Sequence, residues 1–458
     1  MDYIINNYRF KKFKNRYFIT TDHGSYCVLS EEEFKKLKQN NIDSELKQKL
    51  EEKEIILNKN NINETIRLTK NRNNFLFSGA SLHIIVVTLR CNMKCIYCHA
   101  SSKSGNEKKY DMDKETAKKT VDFIFESPSN RITIEFQGGE PLLNWDIVKY
   151  IIEYAKEKNK QAKKNLMITI VTNLTKMDEE KMNYLIEHKV GACTSLDGPK
   201  ELHDYNRQYL DGSNYEQVIK WIKKFNETYK NKNIRNKSMG ALVTLTKKSL
   251  SYPKEIVDEY IKLGLNSVHL RFLNKLGIAK KRWNNIGYSI KEYLSFWKQA
   301  INHIEELKKQ GGKINERMAS IMVSKIKNET DPCYLDLRSP CGAAIGQLTY
   351  NYNGEIYTCD EARMIEEDLF LLGNVKTDKY KGVVTSNNAC ATISASINDQ
   401  YICNDCVYKP YCGICPVCNY AEQGNVIGKI TQTGRCKIFK EQFDWVVRER
   451  FINNNDIN

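Results

Sequence analysis

Cys91-Asn92-Met93-Lys94-Cys95-Ile96-Tyr97-Cys98 puts three thiols into one short loop, directly after the β-branched run Leu82-His83-Ile84-Ile85-Val86-Val87-Thr88-Leu89. A 4Fe–4S cubane is held by four cysteines, so three of them leave one iron open to a substrate or cofactor. An open coordination position is what separates a catalytic metal centre from a structural one. The preceding run has the length and composition of a buried strand in a parallel sheet. Loops at the carboxyl ends of such strands are where α/β barrels build active sites. The stretch therefore predicts an enzyme with Cys91, Cys95 and Cys98 as metal ligands. Zinc is the alternative reading of the triplet, with His99 as a fourth ligand, although zinc sites favour paired Cys-x-x-Cys spacing.

Composition narrows the class. A chain of 458 residues has room for two or three domains and a large core. Its fifteen cysteines cluster as metal ligands do, unlike a disulfide framework. The Met-Asp-Tyr start lacks a charged-then-apolar secretory segment, and no run of about eighteen apolar residues predicts a membrane span. A reducing, cytoplasmic location without a membrane partner is expected. A net charge of +15 would suit nucleic acid, but Lys and Asn are spread along the whole chain. The charge therefore reads as compositional, and no nucleic-acid partner is expected.

Between residues 80 and 275 strand-like and amphipathic helical segments alternate. Strands are predicted near 82–89, 131–137, 166–172, 190–196, 238–246 and 265–272. Six βα units imply a parallel sheet curled into a partial barrel. Ahead of them lie three short strands (8–13, 16–21 and 25–29) and a helix opened by the capping box Ser30-Glu31-Glu32-Glu33. A second helix starts near Ser44. Residues 289–328 read as mostly helical, and from 333 onward the chain is cysteine-rich with short turns.

The triplet, with Tyr97 before its last cysteine, resembles the signature of radical S-adenosylmethionine (SAM) enzymes, and further motifs over roughly residues 80–440 carry the same resemblance. Gln137-Gly138-Gly139-Glu140-Pro141 follows the second predicted strand and is similar to the family's Gly-Gly-Glu-Pro motif. The resemblance implies that this backbone and Glu140 receive the amino group of SAM. Two glycines let a main chain approach a ligand closely. Val171-Thr172-Asn173 ends the third strand, where the family places ribose contacts. The stretch from Ser195 to Arg207 (SLDGPKELHDYNR) resembles a signature of the peptide-modifying branch, in which the serine and the final arginine hold the cofactor's carboxylate. A planar two-donor guanidinium suits that task. The implied cofactor-binding set is thus Tyr97, Gly138, Gly139, Glu140, Asn173, Ser195 and Arg207, with Tyr97 packing against the cluster. Taken singly, a plain turn would account for Gly138–Pro141, and a helix cap and a surface ion pair for Ser195 and Arg207. All four motifs in order, each at a strand end, exceed those readings. His23, His83, His188, His269 and His303 read as core or surface residues.

A second set of cysteines lies in the carboxyl third. Cys341, then Gly354 and Cys359, then Cys403-x2-Cys406-x5-Cys412-x2-Cys415 and Cys436 resemble the SPASM extension, which holds two auxiliary 4Fe–4S clusters in peptide-modifying enzymes. By position the resemblance assigns Cys333, Cys341, Cys359 and Cys415 to the first cluster. It assigns Cys403, Cys406, Cys412 and Cys436 to the second. The sequence departs from the family between Cys412 and Cys415, where the gap is two instead of three, and Cys418 offers an alternative to Cys415. An open iron at Cys333 would admit a substrate thiolate or backbone. Cys27, Cys193, Cys390 and Cys418 remain as free thiols. The implied cofactors are three 4Fe–4S clusters and SAM.

Asp360 directly follows Cys359, where sulfatase-maturing relatives carry a catalytic aspartate, and is the candidate base. The first block resembles the peptide-recognition element of peptide maturases, which adds a leader peptide as a strand at a sheet edge. A plug without a ligand is the alternative. With Tyr8–Phe10 (YRF), Glu135–Asn144 (EFQGGEPLLN), Tyr334–Pro340 (YLDLRSP) and Tyr350–Tyr357 (YNYNGEIY), the chain resembles the His-Xaa-Ser system radical SAM maturases. That group acts on a small precursor peptide, often beside a second radical SAM protein. The expected fold is α/β: a partial (β/α)6 TIM-like barrel with a small N-terminal α+β domain and a C-terminal cysteine-rich SPASM domain. Expected domains are 1–75 (peptide-recognition-like), 80–285 (radical SAM partial barrel), 286–330 (helical bridge) and 331–458 (SPASM). The expected activity is reductive cleavage of SAM, fed by a flavodoxin or ferredoxin, and a carbon–carbon or thioether cross-link in a ribosomally made peptide. Formylglycine formation on a sulfatase is the alternative within enzymes. An electron-carrier or zinc module with a basic nucleic-acid surface is the alternative outside them, and it needs neither Gly138–Pro141 nor Arg207.

Overall fold

Alternation along the strands decides which way the central sheet faces. The computed structural model describes residues 3–98, 100–234, 238–365 and 367–453, and His99, weighed above as a zinc ligand, lies outside them. The six predicted parallel strands are present as β1 (Leu82–Thr88), β2 (Arg131–Gly138), β3 (Asn165–Val171), β4 (Gly191–Ser195), β5 (Gly240–Thr244) and β6 (Leu270–Arg271). They pair in chain order, each parallel to the next. Ile132, Ile134 and Phe136 of β2 and Ile168 and Ile170 of β3 are buried on one face. There they share a core with Val121 and Ile124 of the helix Lys114–Phe125 and with Val148, Ile151 and Ile152 of Trp145–Ala162. The intervening Glu135, Gln137, Thr169, Cys193 and Ser195 are only half-buried. Parallel strands covered by helices on both sides read as continuous apolar runs. Here one face carries polar side chains instead, so that face lines an interior.

The strand expected over 265–272 is split. Leu270–Arg271 joins the central sheet, whereas Ser267–Val268 pairs with Asn315–Glu316. Beyond β1 the sheet continues into β7 (Gln347–Tyr350), parallel to β1, and then β8 (Glu355–Tyr357) and β9 (Leu371–Asn374), both antiparallel. The result is one mixed nine-stranded sheet in the order β6-β5-β4-β3-β2-β1-β7-β8-β9. It crosses the boundary that composition suggested near residue 331. All four residues of β7 are buried, and a short strand of that kind needs an existing sheet edge to pair with.

The N-terminal strands Tyr8–Phe13, Arg16–Thr21 and Tyr26–Ser30 form a separate antiparallel sheet. The capping box at Ser30 opens the helix Glu31–Lys38 as expected. Ile19, Cys27 and Leu29 pack on Phe34, Leu37, Leu46 and Leu50. The opposite face turns Phe18 toward Phe451, with ring centroids 6.0 Å apart. Thr20 Oγ1 donates to Val407 O (2.7 Å) and Tyr411 Oη to Gly24 O (2.9 Å), so this sheet is tied to the Cys403–Cys412 segment. The helices Ile290–Lys309 and Gly434–Val447 meet through Trp297 and Trp445, edge to face at 5.6 Å. Among the described residues no helix is long and apolar enough to cross a membrane.

His83 joins β1 to β7. Its Nδ1 lies 2.9 Å from Tyr350 Oη and its Nε2 3.1 Å from Ala80 O, an arrangement for a neutral ring that accepts at Nδ1 and donates at Nε2. Burial pushes this imidazole from 6.5 down to about 3. The unfolded chain therefore takes up a proton that the folded chain refuses, and this contribution, present above pH 6.5, is lost as pH falls toward about 3. Between pH 7 and pH 5 the loss is about 2 kcal/mol. Urea titrations at the two pH values are expected to show it, and His83→Gln to remove that share of the difference.

Candidate cluster and cofactor site

The triplet loop leaves the carboxyl end of β1 and is fastened first by its own flanking residue. Arg90 is buried, and its Nε and Nη2 donate to Asp111 Oδ1 and Oδ2, each at 2.7 Å. Its remaining donors reach Gly105 O and Leu143 O, both at 2.8 Å. A two-pronged guanidinium–carboxylate pair fixes orientation as well as distance. Thr88 Oγ1 adds a third bond to Asp111 Oδ1 at 2.6 Å. Motif reading missed Arg90 and Asp111, because nothing in their spacing links them.

Gly138 and Gly139 carry β2 against this loop. Gly139 N donates to Thr88 O (2.8 Å) and Glu140 N to Arg90 O (2.7 Å). A Cβ on Gly139 would lie 2.0 Å from Arg90 O, and one on Gly138, whose φ is +140°, would lie 2.2 Å from Thr88 O. In this structure the two glycines therefore admit backbone of the triplet loop itself. Glu140 is fully buried, and its carboxylate accepts from Thr172 Oγ1 (2.6 Å), Asn173 N (2.7 Å) and Leu142 N (3.0 Å). Burial pushes its pKa up, and these bonds pull against that. Asn173 continues the chain of contacts: its Nδ2 lies 3.2 Å from Asn92 Oδ1 and 3.8 Å from Cys91 Sγ.

On the other side the strand Met93–Cys95 pairs with Arg207–Tyr209, placing Arg207 opposite Cys95. Arg207 Nη1 donates to Tyr97 Oη, and Tyr97 Oη donates to Asp197 Oδ2, both at 2.7 Å. Arg207 is no surface ion pair. Its Nε is buried with no hydrogen-bond partner. Burial works against its charge, and Cys95, Tyr97 and Asp197 outweigh that cost. Ser195 ends β4 and is half-buried, on the same face as Cys193.

The donor set fits an iron–sulfur cluster with SAM. Burial pushes the Cys95 thiol up to about 11, against the pull of Arg207, and raises Cys91 as well. Cys91 and Cys95 as free thiols are thus protonated near neutrality, and metal must displace those protons. The unfilled Arg207 N–H is a donor suited to an anionic group such as a carboxylate. Among the described residues no three His, Cys, Asp or Glu side chains are arranged to hold a single metal ion. A cubane has no need of that, since each cysteine takes its own iron.

The carboxyl third brings the other cysteines into two groups. Cys403, Cys406, Cys412 and Cys436 line one cavity, whose wall Cys415 and Cys418 also reach. The thiols of Cys406 and Cys436 both act electrostatically on Cys403 and Cys412. Cys341 and Cys359 share an apolar cluster with Cys415 and each feels its charge. Cys333 is exposed at φ +57°, and the charged groups acting on it are Asp331, Arg338 and Lys325. Asp360 is buried, with Arg363 Nε 2.9 Å from its Oδ1, and Arg363 Nη1 reaches Ala100 O in the triplet loop at 3.4 Å. Glu135, on the interior face of β2, feels the Asp360 charge. Asp360 thus sits where the cysteine-rich segment meets the interior. Of the remaining thiols, Cys27 is buried in the N-terminal core, Cys193 lies on the interior face of β4 and Cys390 is exposed.

The sequence matches the radical SAM superfamily over residues 85–258. An uncharacterised protein of Methanocaldococcus jannaschii is 30% identical over 307 residues, which cover 67% of this chain and 92% of its own length. The cysteine-type anaerobic sulfatase-maturating enzyme of Clostridium perfringens is 25% identical over 387 residues, covering 81% of this chain and 97% of that enzyme. The fold is similar to that of Streptococcus suis SuiB bound to its precursor peptide SuiA, with a TM-score of 0.56 at 16% identity over 92% of this chain and 97% of SuiB. The chain belongs to the radical SAM superfamily. It is an enzyme of that class, which uses a 4Fe–4S cluster and SAM, and its sequence is related to that of a sulfatase-maturating member.

The close approach at Gly139 yields a direct test. Gly139→Ala is expected to push β2 off the triplet loop and to abolish the SAM-induced change in the EPR spectrum of the reduced cluster. Gly382→Ala, where an added Cβ meets nothing within 4 Å, should leave that change intact.

Proposed function

We propose that the enzyme installs an oxidative cross-link, carbon–carbon or thioether, in a ribosomally made precursor peptide in the cytoplasm. The observation that carries this reading is the gathering of two further groups of cysteines in the carboxyl third, one of them next to Asp360. A cross-link removes two hydrogens from the peptide. When bound, SAM and the triplet cluster supply a radical that takes one of them as an atom from unreactive carbon. The other leaves as a proton and an electron. Asp360 is our candidate for the proton. The electron requires an acceptor, and two auxiliary clusters held by the carboxyl-third cysteines would provide one. Arg207, Asn173, Ser195 and the Gly138–Glu140 backbone would hold SAM, and Tyr97 would fix the Arg207 guanidinium beside Cys95.

The N-terminal sheet supports a peptide substrate, since strand addition at a sheet edge recognises an extended chain through its backbone. The sequence stretches that resemble the His-Xaa-Ser system maturases support placing the enzyme beside that group. A flavodoxin or ferredoxin would deliver the electron that starts each cycle, with a second radical SAM protein as a working partner. Formylglycine formation on a sulfatase is the second reading. The similarity to the Clostridium perfringens enzyme over nearly its whole length favours it.

Three experiments test the proposal. Anaerobically reconstituted protein should bind about twelve irons, the content of three cubanes, and release 5′-deoxyadenosine from SAM when reduced. Cys95→Ala should abolish that release, and its persistence would remove the triplet from its role. Asp360→Asn should spare the release yet lower peptide product about a hundredfold or more, the usual range for loss of a general base. Mass spectrometry of the product separates the two readings: a cross-link loses two hydrogens without a new carbonyl, whereas formylglycine adds an aldehyde.

A further inference from the structure

The loop after β6 and the helices Pro416–Gln423 and Gly434–Val447 bound a cavity of about 310 Å³. Its aromatic walls are Phe272, Trp283, Tyr288 and Tyr293, and Leu276 and Ile438 add aliphatic surface. The rings brace one another: Phe272 meets Tyr293 edge to face at 5.8 Å, and Tyr288 stacks on Tyr293 at 6.2 Å. Leu273 N donates to Tyr288 Oη at 2.6 Å, which fixes the loop against them. Neither the triplet cysteines nor Asp360 line this space, and nor does any residue of the SAM-binding set.

One buried charge stands in that wall. The Arg435 side chain is 8% exposed, and its Nε and Nη1 are buried without a hydrogen-bond partner. Its Nη2 donates to Asn274 Oδ1 at 3.4 Å, and Asp336 Oδ2 stands 3.6 Å from Nη1. The guanidinium carbon lies 5.5 Å from the centre of the Phe272 ring. Arg435 and Cys418 also reach the neighbouring Cys403–Cys436 cavity. Lys275, Glu422 and Gln432 are exposed and mark the opening. There Glu422 accepts from Gly434 N at 3.1 Å, and Lys275 Nζ lies 5.6 Å from the Trp283 ring centre. Open donors on a buried cation are costly unless an acceptor fills them.

Apolar walls with a few placed polar groups are the make-up of a ligand site, and this volume is at the small end of the usual range of about 300–1,000 Å³. A wholly apolar occupant would leave the guanidinium donors unfilled. A bare small anion would leave four rings without a partner. We propose that the cavity binds a carboxylate carried on a large apolar or aromatic body, its oxygens meeting Arg435 and its body lying among the four rings. A free acid and the last residue of a peptide chain both present that chemistry. Leu273, Trp283 and Tyr288 also pack with Ile96 and Tyr97, and Ile278 N donates to Cys98 O at 3.0 Å. The wall of the cavity is therefore also a support of the triplet loop. A ligand of this kind binds whichever modification the enzyme installs.

Calorimetric titration of the full-length, anaerobically reconstituted protein tests this with N-acetyl-L-phenylalanine, which mimics a peptide end, and with 3-phenylpropionate, a free acid. The controls are N-acetyl-L-phenylalaninamide, which lacks the charge, and acetate, which lacks the ring. At least one aromatic acid is expected to bind about tenfold more tightly than either control, as suits a hydrogen bond to a charged group. The tighter of the two acids identifies the source. Ala421→Trp fills the cavity from its wall while keeping every charge and cysteine, and should weaken acid binding about tenfold or more at parental iron content. Arg435→Gln should bring acid and amide to one affinity. Failure of both acids to bind at about 1 mM, an amide bound by the parent as tightly as its acid, or parental acid binding in Ala421→Trp overturns the proposal.

Discussion

The site depends on one close approach of backbone to backbone. The end of β2 lies so near the segment from Thr88 to Arg90 that no side chain fits at Gly138 or Gly139. Two hydrogen bonds between these segments hold the start of the triplet loop to the sheet. From that junction the polar contacts spread outward. Arg90 grips Asp111 on one side, Glu140 collects Thr172 and the Asn173 amide on another, and Arg207 links Cys95 to Tyr97 and Asp197 on the third. A loop of three thiols cannot bury enough surface to order itself, so its geometry is imposed from these neighbours.

Much of this was legible in the order of residues, and the rest fails for identifiable reasons. Local periodicity located the six parallel strands to within a few residues, because each carries an apolar face against a helix. Ser30 and Glu33 announced their helix through a four-residue signal and formed it. By contrast, the break at His269 in the last strand depends on a partner strand at Asn315–Glu316, more than forty residues away. The extension of the sheet through β7, β8 and β9 has the same origin, since pairing with β1 leaves no periodic trace in four buried residues. His83 read as a core residue, and its bonds to Ala80 and Tyr350 fit that reading.

The candidate site divides in the same way. Cysteine spacing and the glycine pair are local patterns and were readable. The glycines meet the triplet loop backbone, and Glu140 accepts from Leu142, Thr172 and Asn173, contacts that only the folded chain reveals. Arg90, Asp111 and Arg435 were silent in the sequence because an arginine or aspartate acquires meaning only from what it faces. Arg207 was found through a motif, yet its burial and its open Nε come from long-range packing.

Charge explains why arginines recur at the cysteines. Burial alone holds most of these thiols protonated, which opposes metal binding. A cation nearby favours the thiolate, and the molecule supplies different cations in different surroundings. Arg207, whose Nε is buried, faces Cys95, and the buried Arg435 faces Cys415 and Cys418. Cys403 and Cys436 are only half-buried, and there the favouring charges are Lys409, Lys437 and Lys440. The choice follows from hydration. A guanidinium is weakly hydrated and presents a fixed fork of donors, so it survives burial and can aim N–H groups at sulfur, whereas an ammonium keeps its water and acts as a point charge near the surface. The three groups of cysteines therefore sit in graded surroundings, dry beside arginine and wetter beside lysine. Cluster potential depends on hydrogen bonds to sulfur and on solvent exposure, so that gradient bears directly on the order in which electrons would settle among them.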